Sequence, residues 1–241
     1  MSGVSGLGGL SATPGSLNGA GGGSIQLGGA LIWLAADKIT GLADGEALTT
    51  WINAGTGANF TQAVAGNKPT YQTLEIGTLP IVRFDGNNDL LSAAAVMSLT
   101  QPCMIYWVAK RTGNTSAYNV GVTQTTETIA FGFNAGVNTW YTYSNPALVT
   151  QAASDNAFHL MICHYNAGSS TMYMDSLTGA AKVLDSGDIT NGTFHVGATS
   201  GAAAALAGDI AEILVFSSAH TAAERTLVSN YLAAKWGITL S

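Results

Sequence analysis

The sequence predicts an all-β protein: an antiparallel two-sheet sandwich, preceded by an extended glycine-rich N-terminal arm and closed by one C-terminal helix. Three observations lead there. Apolar runs of strand length recur from residue 31 onward, separated by clusters of Gly, Asn, Asp, Ser and Thr. No long helical period interrupts them, so the strands lack the crossover helices that a parallel sheet needs. Helical spacing with signals at both ends occurs at residues 221–237.

Composition supports a real core. A chain of 241 residues can bury roughly 70% of its unfolded surface in one large domain. Hydrophobic residues make up 47% and charged residues 9%, which excludes disorder driven by charge and low hydrophobicity. The net charge of -6 is the wrong sign for neutralising phosphates, so a nucleic-acid partner is not expected. No apolar run approaches the roughly 20 residues of a membrane-spanning helix. Residues 1–36 contain no Lys or Arg, so no positively charged leader precedes an apolar segment, and synthesis in the cytoplasm is expected.

Residues 1–30 form the arm. They include eleven glycines, one proline and no charged side chain. Glycine forfeits the most backbone entropy on ordering and offers no side chain to bury, so this segment needs a neighbouring chain or the domain's own surface to order against. Residues 31–241 form the body. Strands are predicted at 31–35, 78–84, 104–110, 119–123, 128–133, 139–143, 158–165, 171–175, 194–198 and 209–216. Asp85-Gly86, Thr112-Gly113-Asn114 and Asn191-Gly192 supply turns between them. The helix is predicted at 221–236. Thr221 and Glu224 make a capping box, Leu227, Val228, Tyr231, Leu232 and Trp236 recur at helical spacing, and Gly237 is the stop. Trp33, Trp51, Trp107 and Trp236 have apolar neighbours and read as core, as do Cys103 and Cys163, two buried free thiols.

The ordered motifs LIWLAAD (31–37), KPTY (68–71), LPIVRFDGNNDLL (79–91), IYWVAK (105–110), GDIAEILVF (208–216) and TAAERTLVSNYLAAKWG (221–237) resemble the laminin G-like branch of the concanavalin A-like lectin and glucanase superfamily. The resemblance runs from about residue 31 to 238. It implies a jelly roll of two curved sheets that contacts carbohydrate or protein on its concave face or rim loops. Members of this branch occur in bacterial surface proteins and in phage structural proteins. Fold alone does not fix function.

Some relatives hydrolyse glycosides, which requires two carboxyls about 5 to 5.5 Å apart for a retaining mechanism. Asp209 and Glu212 are the best pair, but a spacing of three puts them on opposite faces of a regular strand. Structural roles are expected instead: a turn or rim hydrogen bond for Asp209, and pairing of Glu212 with a base such as Arg83. The sequence has no Gly-x-Ser-x-Gly elbow and no P-loop, and the four His (159, 164, 195, 220) lack metal-ligand spacing, so no catalytic residue and no cofactor is expected. Asp85, Asn87 and Asp89 alternate as at the start of a calcium loop, but Leu90 and Val96 break the continuation, which leaves a tight turn as the reading and calcium as the alternative.

Trp140, Tyr141 and Tyr143, with Asn138 and Asn145, form the candidate glycan-stacking cluster. Two functions follow. One is a non-enzymatic structural subunit of a phage virion, a capsid decoration, head-fibre or tail-associated protein, partnered by its own copies and by capsid or tail proteins, its arm as anchor. The other is a carbohydrate-binding module of a bacterial surface protein.

Overall fold

The computed structural model describes residues 16–18, 24–113, 118–124, 129–134, 139–144, 147–153, 156–182, 189–202 and 204–241. In chain order the strands are β1 (Ser16–Asn18), β2 (Ser24–Gln26), β3 (Ile32–Ala35), β4 (Thr50–Trp51), β5 (Phe60–Thr61), β6 (Thr70–Ile76), β7 (Leu79–Asp85), β8 (Leu91–Ala93), β9 (Met97–Leu99), β10 (Cys103–Arg111), β11 (Tyr118–Gln124), β12 (Ile129–Asn134), β13 (Thr139–Ser144), β14 (Ala147–Ala153), β15 (His159–Tyr165), β16 (Ser170–Met174), β17 (Ala180–Lys182), β18 (Ile189–Gly192), β19 (Phe194–Val196) and β20 (Ala207–Phe216). Helix α1 (Ala222–Trp236) follows.

One eight-stranded sheet runs β17-β16-β15-β10-β20-β7-β6, with β3 also on β20; a second runs β14-β13-β12-β11-β19-β8-β5-β4. Every strand pair is antiparallel, as the sequence predicts. The two sheets meet over an aromatic core. Trp107 of β10 and Trp140 of β13 cross edge to face at 5.3 Å, an arrangement that places the positive ring edge on the negative ring face. Trp33, Trp51, Trp107 and Trp236 are all buried, as expected from their neighbours.

Strand β20 is the organiser. On one side it pairs with β10; on the other, Ala207–Ile210 pair with β7 and Glu212–Val215 pair with β3. Ala211 is the extra residue at this exchange of partners. Val108 lies opposite Glu212 while Ala109 lies opposite Ile210, so the register slips by one. A bulge of this kind re-aims the side chains that follow it.

The outer edge of the first sheet is covered. The segment before β6 bridges it at Ala47 and Thr70, Tyr71 exchanges backbone hydrogen bonds with Gly45 and Glu46, and Asp44 Oδ1 accepts from the Thr73 N–H at 2.7 Å. A covered edge offers no row of free amides to another strand.

Helix α1 begins and ends as its sequence dictates. The Thr221 hydroxyl accepts from the Glu224 N–H, the Glu224 carboxylate accepts from the Thr221 N–H, and Gly237 takes the left-handed conformation at φ 68°. Val228, Leu232 and Trp236 are buried against the first sheet, while Leu227 and Tyr231 are half-buried.

The second half of the glycine-rich arm departs from the expectation of a segment with nothing to bury. Strands β1 and β2 form a hairpin against α1, and Leu17, Ile25 and Leu27 are part of the main core. These few apolar residues give the hairpin a face to dock, which a two-stranded ribbon needs because it is marginal alone. Among the described residues no helix is long and apolar enough to cross a membrane.

Candidate functional site

The site lies at the sandwich rim, where the chain segment before β6, the end of β7, the following turn and the residue after β10 converge. It is a cleft of about 450 Å³ lined by Gly66, Lys68, Thr70, Arg83, Phe84, Asp85, Asp89 and Thr112. The lining is mixed: hydroxyls, two carboxyls and two cations surround a small apolar floor.

The turn after β7 supplies the acidic wall. Asp85 Oδ1 accepts from the Asn87 N–H at 2.8 Å and from the Asn88 N–H at 3.3 Å, and Asp89 Oδ2 accepts from the Asp85 N–H at 2.8 Å. Each carboxylate thus fixes the backbone beside it, as Asx turns do. Asp85 Oδ1 and Asp89 Oδ2 close this tight turn on its backbone amides. Among the described residues no three His, Cys, Asp or Glu side chains are grouped as for a metal ion. Burial pushes the Asp89 carboxyl up to about 6, against the opposing hydrogen bond from Asp85. Gly197 closes the turn from behind. At φ 98° its missing Cβ would stand 2.2 Å from the Phe84 ring and 2.8 Å from the Asp89 carbonyl.

The basic wall is unequal. Arg83 Nε and Nη2 donate to Oδ1 and Oδ2 of Asp209 at 2.7 and 3.0 Å, and Nη2 also lies 3.1 Å from Glu75. These hydrogen bonds, Asp209's first, raise the guanidinium above its ordinary value against the cost of burial. Lys110 also contacts Asp209, at 3.0 Å. Lys68 is half-buried and makes no ion pair among the described residues.

Arg83 therefore pairs with Asp209, not with Glu212, which corrects the expected partner. The expected separation of Asp209 and Glu212 onto opposite faces is corrected as well. Asp209 stands opposite Lys110 and Glu212 opposite Val108, two residues apart on β10, so the Ala211 bulge returns both carboxylates to one face. Neither reaches solvent; both side chains are 0% exposed. Glu212 is enclosed by α1 and β3. Its carboxylate accepts from Trp33 Nε1 and Trp236 Nε1, each at 2.7 Å, from Lys235 Nζ at 2.8 Å and from the Tyr231 hydroxyl at 3.3 Å. Burial works to lower Lys235, but Glu212, Tyr231 and the hydrogen bonds to Asp37 and Glu212 outweigh it and raise the ammonium.

A laminin G-type family model, described as the concanavalin A-like lectin/glucanases superfamily, matches residues 85–224, more than half of the chain. The chain belongs to this superfamily. No curated protein matches it. Among solved structures this concanavalin A-like chain is similar to a Trypanosoma rangeli sialidase in complex with sialic acid, at a TM-score of 0.61 and 9% identity, covering 94% of this chain and 36% of the sialidase. It is also similar to the ligand binding domain of botulinum neurotoxin serotype D in complex with N-acetylneuraminic acid, at a TM-score of 0.54 and 11% identity, covering 89% of this chain and 55% of that one. The chain thus spans about a third of the sialidase and just over half of the toxin fragment. At these identities the likeness is one of fold.

The lectin-like sandwich does not use the expected aromatic cluster as a surface. Trp140 is 0% and Tyr141 2% exposed, so neither indole nor phenol offers a face to a sugar ring. The physical reason is that β13 is covered on both sides at this point: Trp140 and Thr142 are as deeply buried as Tyr141 between them. Tyr143 lies in β13 with its side chain outside the described residues, and Asn138 and Asn145 also lie outside them. Thr221, Glu224 and Trp236 take the structural places expected of them in and under α1. Sequence reasoning missed Lys68 and Thr70, just before and at the start of β6, and Thr112, just after β10. The KPTY motif is the signal that could have found the first two.

Proposed function

We propose that the chain is a non-enzymatic, lectin-like structural module of a phage virion that contacts carbohydrate through the rim cleft. The observation that carries the carbohydrate reading is the cleft itself: hydroxyl, carboxyl and ammonium groups converge on a concave site of about 450 Å³, within the range of small-ligand pockets, on a lectin-like sandwich. Two proteins of similar fold hold sialic acid or N-acetylneuraminic acid, which supports the same reading.

The non-enzymatic part is supported by the carboxylates. Asp209 and Glu212 share a face as a glycosidase pair must, but both are enclosed and occupied by cations and indoles, with no room for a glycosidic bond between them. The virion part is supported by the laminin G-like branch the motifs resemble and by the arm, whose β1–β2 hairpin packs on α1. Copies of the chain and capsid or tail proteins are the partners this reading requires.

A glycan array probed with wild-type protein and with Asp85→Ala tests the carbohydrate contact. Binding that the substitution removes, with circular dichroism unchanged and no released sugar, is the expected result. Release of sugar from the bound glycans refutes the non-enzymatic reading. Mass spectrometry of purified particles tests the virion reading, which requires the chain in stoichiometric amount.

A further inference from the structure

We infer that the rim cleft takes neutral, hydroxyl-bearing sugars and rejects sialylated and other acidic ones. This inference rests on the carbohydrate reading above and narrows it to a ligand class. It runs against the bound sugars of the two similar folds, both of which carry a carboxylate.

The charges facing the cleft carry the argument. A sugar carboxylate is best held by a guanidinium fork offering two parallel N–H donors. Arg83 is the cleft's guanidinium, and its Nε–Nη2 fork is already engaged: both nitrogens reach Asp209, and Nη2 also reaches Glu75, so the second fork has Nη1 as its one uncommitted nitrogen. Reorienting it would leave Asp209, 0% exposed, with Lys110 as its remaining cation. Lys68 is then the cleft cation without an ion pair among the described residues. Against it stand Asp85, exposed, and Asp89, buried. The acidic side chains outnumber the available cation, and the whole chain carries -6. An approaching anion is therefore repelled both at long range and on contact, within a screening distance of about 8 Å at physiological salt.

Neutral sugars meet a different surface. Vicinal hydroxyls can donate to Asp85 Oδ2, which the turn amides leave uncommitted, and accept from Lys68, Thr70 and Thr112. The Asx turn holds the Asp85 carboxylate in place before any ligand arrives. A pre-ordered acceptor loses little side-chain freedom on binding.

The test uses array glycans in pairs that differ by one terminal sialic acid, at low and high salt, with Asp85→Asn and Lys68→Ala alongside the wild type. The expected result is at least about tenfold stronger binding of the neutral member, a gap that shrinks at high salt and in Asp85→Asn. Lys68→Ala is expected to leave the preference for the neutral member in place. Equal or stronger binding of the sialylated member by the wild type overturns the inference, as does loss of the preference for the neutral member in Lys68→Ala; in either case carbohydrate binding itself stands. Binding of neither member overturns the inference and the carbohydrate reading together. Circular dichroism of each variant separates lost binding from lost fold.

Discussion

Trp33 and Trp236, one in β3 near the start of the domain and the other at the end of α1, donate their indole N–H groups to the two oxygens of the same buried carboxylate, Glu212, each at 2.7 Å. One side chain thus ties the first body strand, the central strand β20 and the closing helix together. Lys235 completes the cluster, bridging Glu212 and Asp37 at 2.8 and 2.7 Å.

Removing that carboxylate is predicted to be severe. Glu212→Ala leaves two buried indole donors without their acceptor and the Lys235 ammonium with Asp37 as its one carboxylate, at a cost of about 3–5 kcal/mol. Urea denaturation measures it, and Glu212→Gln, which keeps an acceptor but not the charge, should cost less. The same cluster predicts an alkaline limit. Lys235 is raised in the folded state above its ordinary 10.5, so its contribution is fully present below that pH and is lost as pH rises toward the folded value. Stability should fall above pH 10.5 in the wild type, with a shallower fall in Lys235→Met.

Asp89 predicts the opposite slope at acid pH. Its folded carboxyl is raised from 3.8 to about 6 by burial, so between these values the native state binds more protons than the unfolded one. Stability should therefore rise as pH falls from about 6 to about 4. Asp89→Asn, neutral and still able to accept from the Asp85 N–H, should abolish that dependence and be the more stable protein at pH 7.5, by up to about 2 kcal/mol. Thermal unfolding across this window reads it.

Gly197 predicts a steric limit behind the cleft. Gly197→Ala adds a methyl group where the Phe84 ring and the Asp89 carbonyl leave no room, on a backbone of positive φ. A loss of about 3 kcal/mol or more is expected from strain and overpacking together, seen as a lowered denaturation midpoint.

The thiols predict silence. Cys103 and Cys163 are buried and not joined in a disulfide, and burial pushes the Cys163 thiol up to about 12. A thiol-specific reagent at pH 8 should label neither in the native protein and both after unfolding.

The fold was legible because its signals are local. The runs around Ile105 to Lys110 and Ile210 to Phe216 have strand length and composition wherever they are placed, and Thr221, Glu224 and Gly237 mark the ends of α1 by chemistry alone. Some strands missed by that reading are short, as β4 and β5 are, and leave no pattern to read; β6 and β14, seven residues each, were missed although long enough, β6 because its run TYQTLEI is largely polar. The face shared by Asp209 and Glu212 was not legible, because an inserted Ala211 looks like any other strand alanine until β10 supplies the register. Arg83's partner was hidden for the same reason. Trp140 and Tyr141 misled because an aromatic strand covered on both sides has the same composition as one exposed on one side. The cleft was half visible: Asp85 and Asp89 stand in one motif, while Lys68 and Thr112 reach them only through the fold.

The central claim is that sugar binds at this rim and not on the strand face of β13. Amide chemical shifts recorded during titration with an array-selected neutral glycan test it most directly. The account predicts saturable shifts concentrated at Lys68, Thr70, Asp85, Asp89 and Thr112. Shifts centred on Trp140 to Ser144, with the rim residues unmoved, would contradict it.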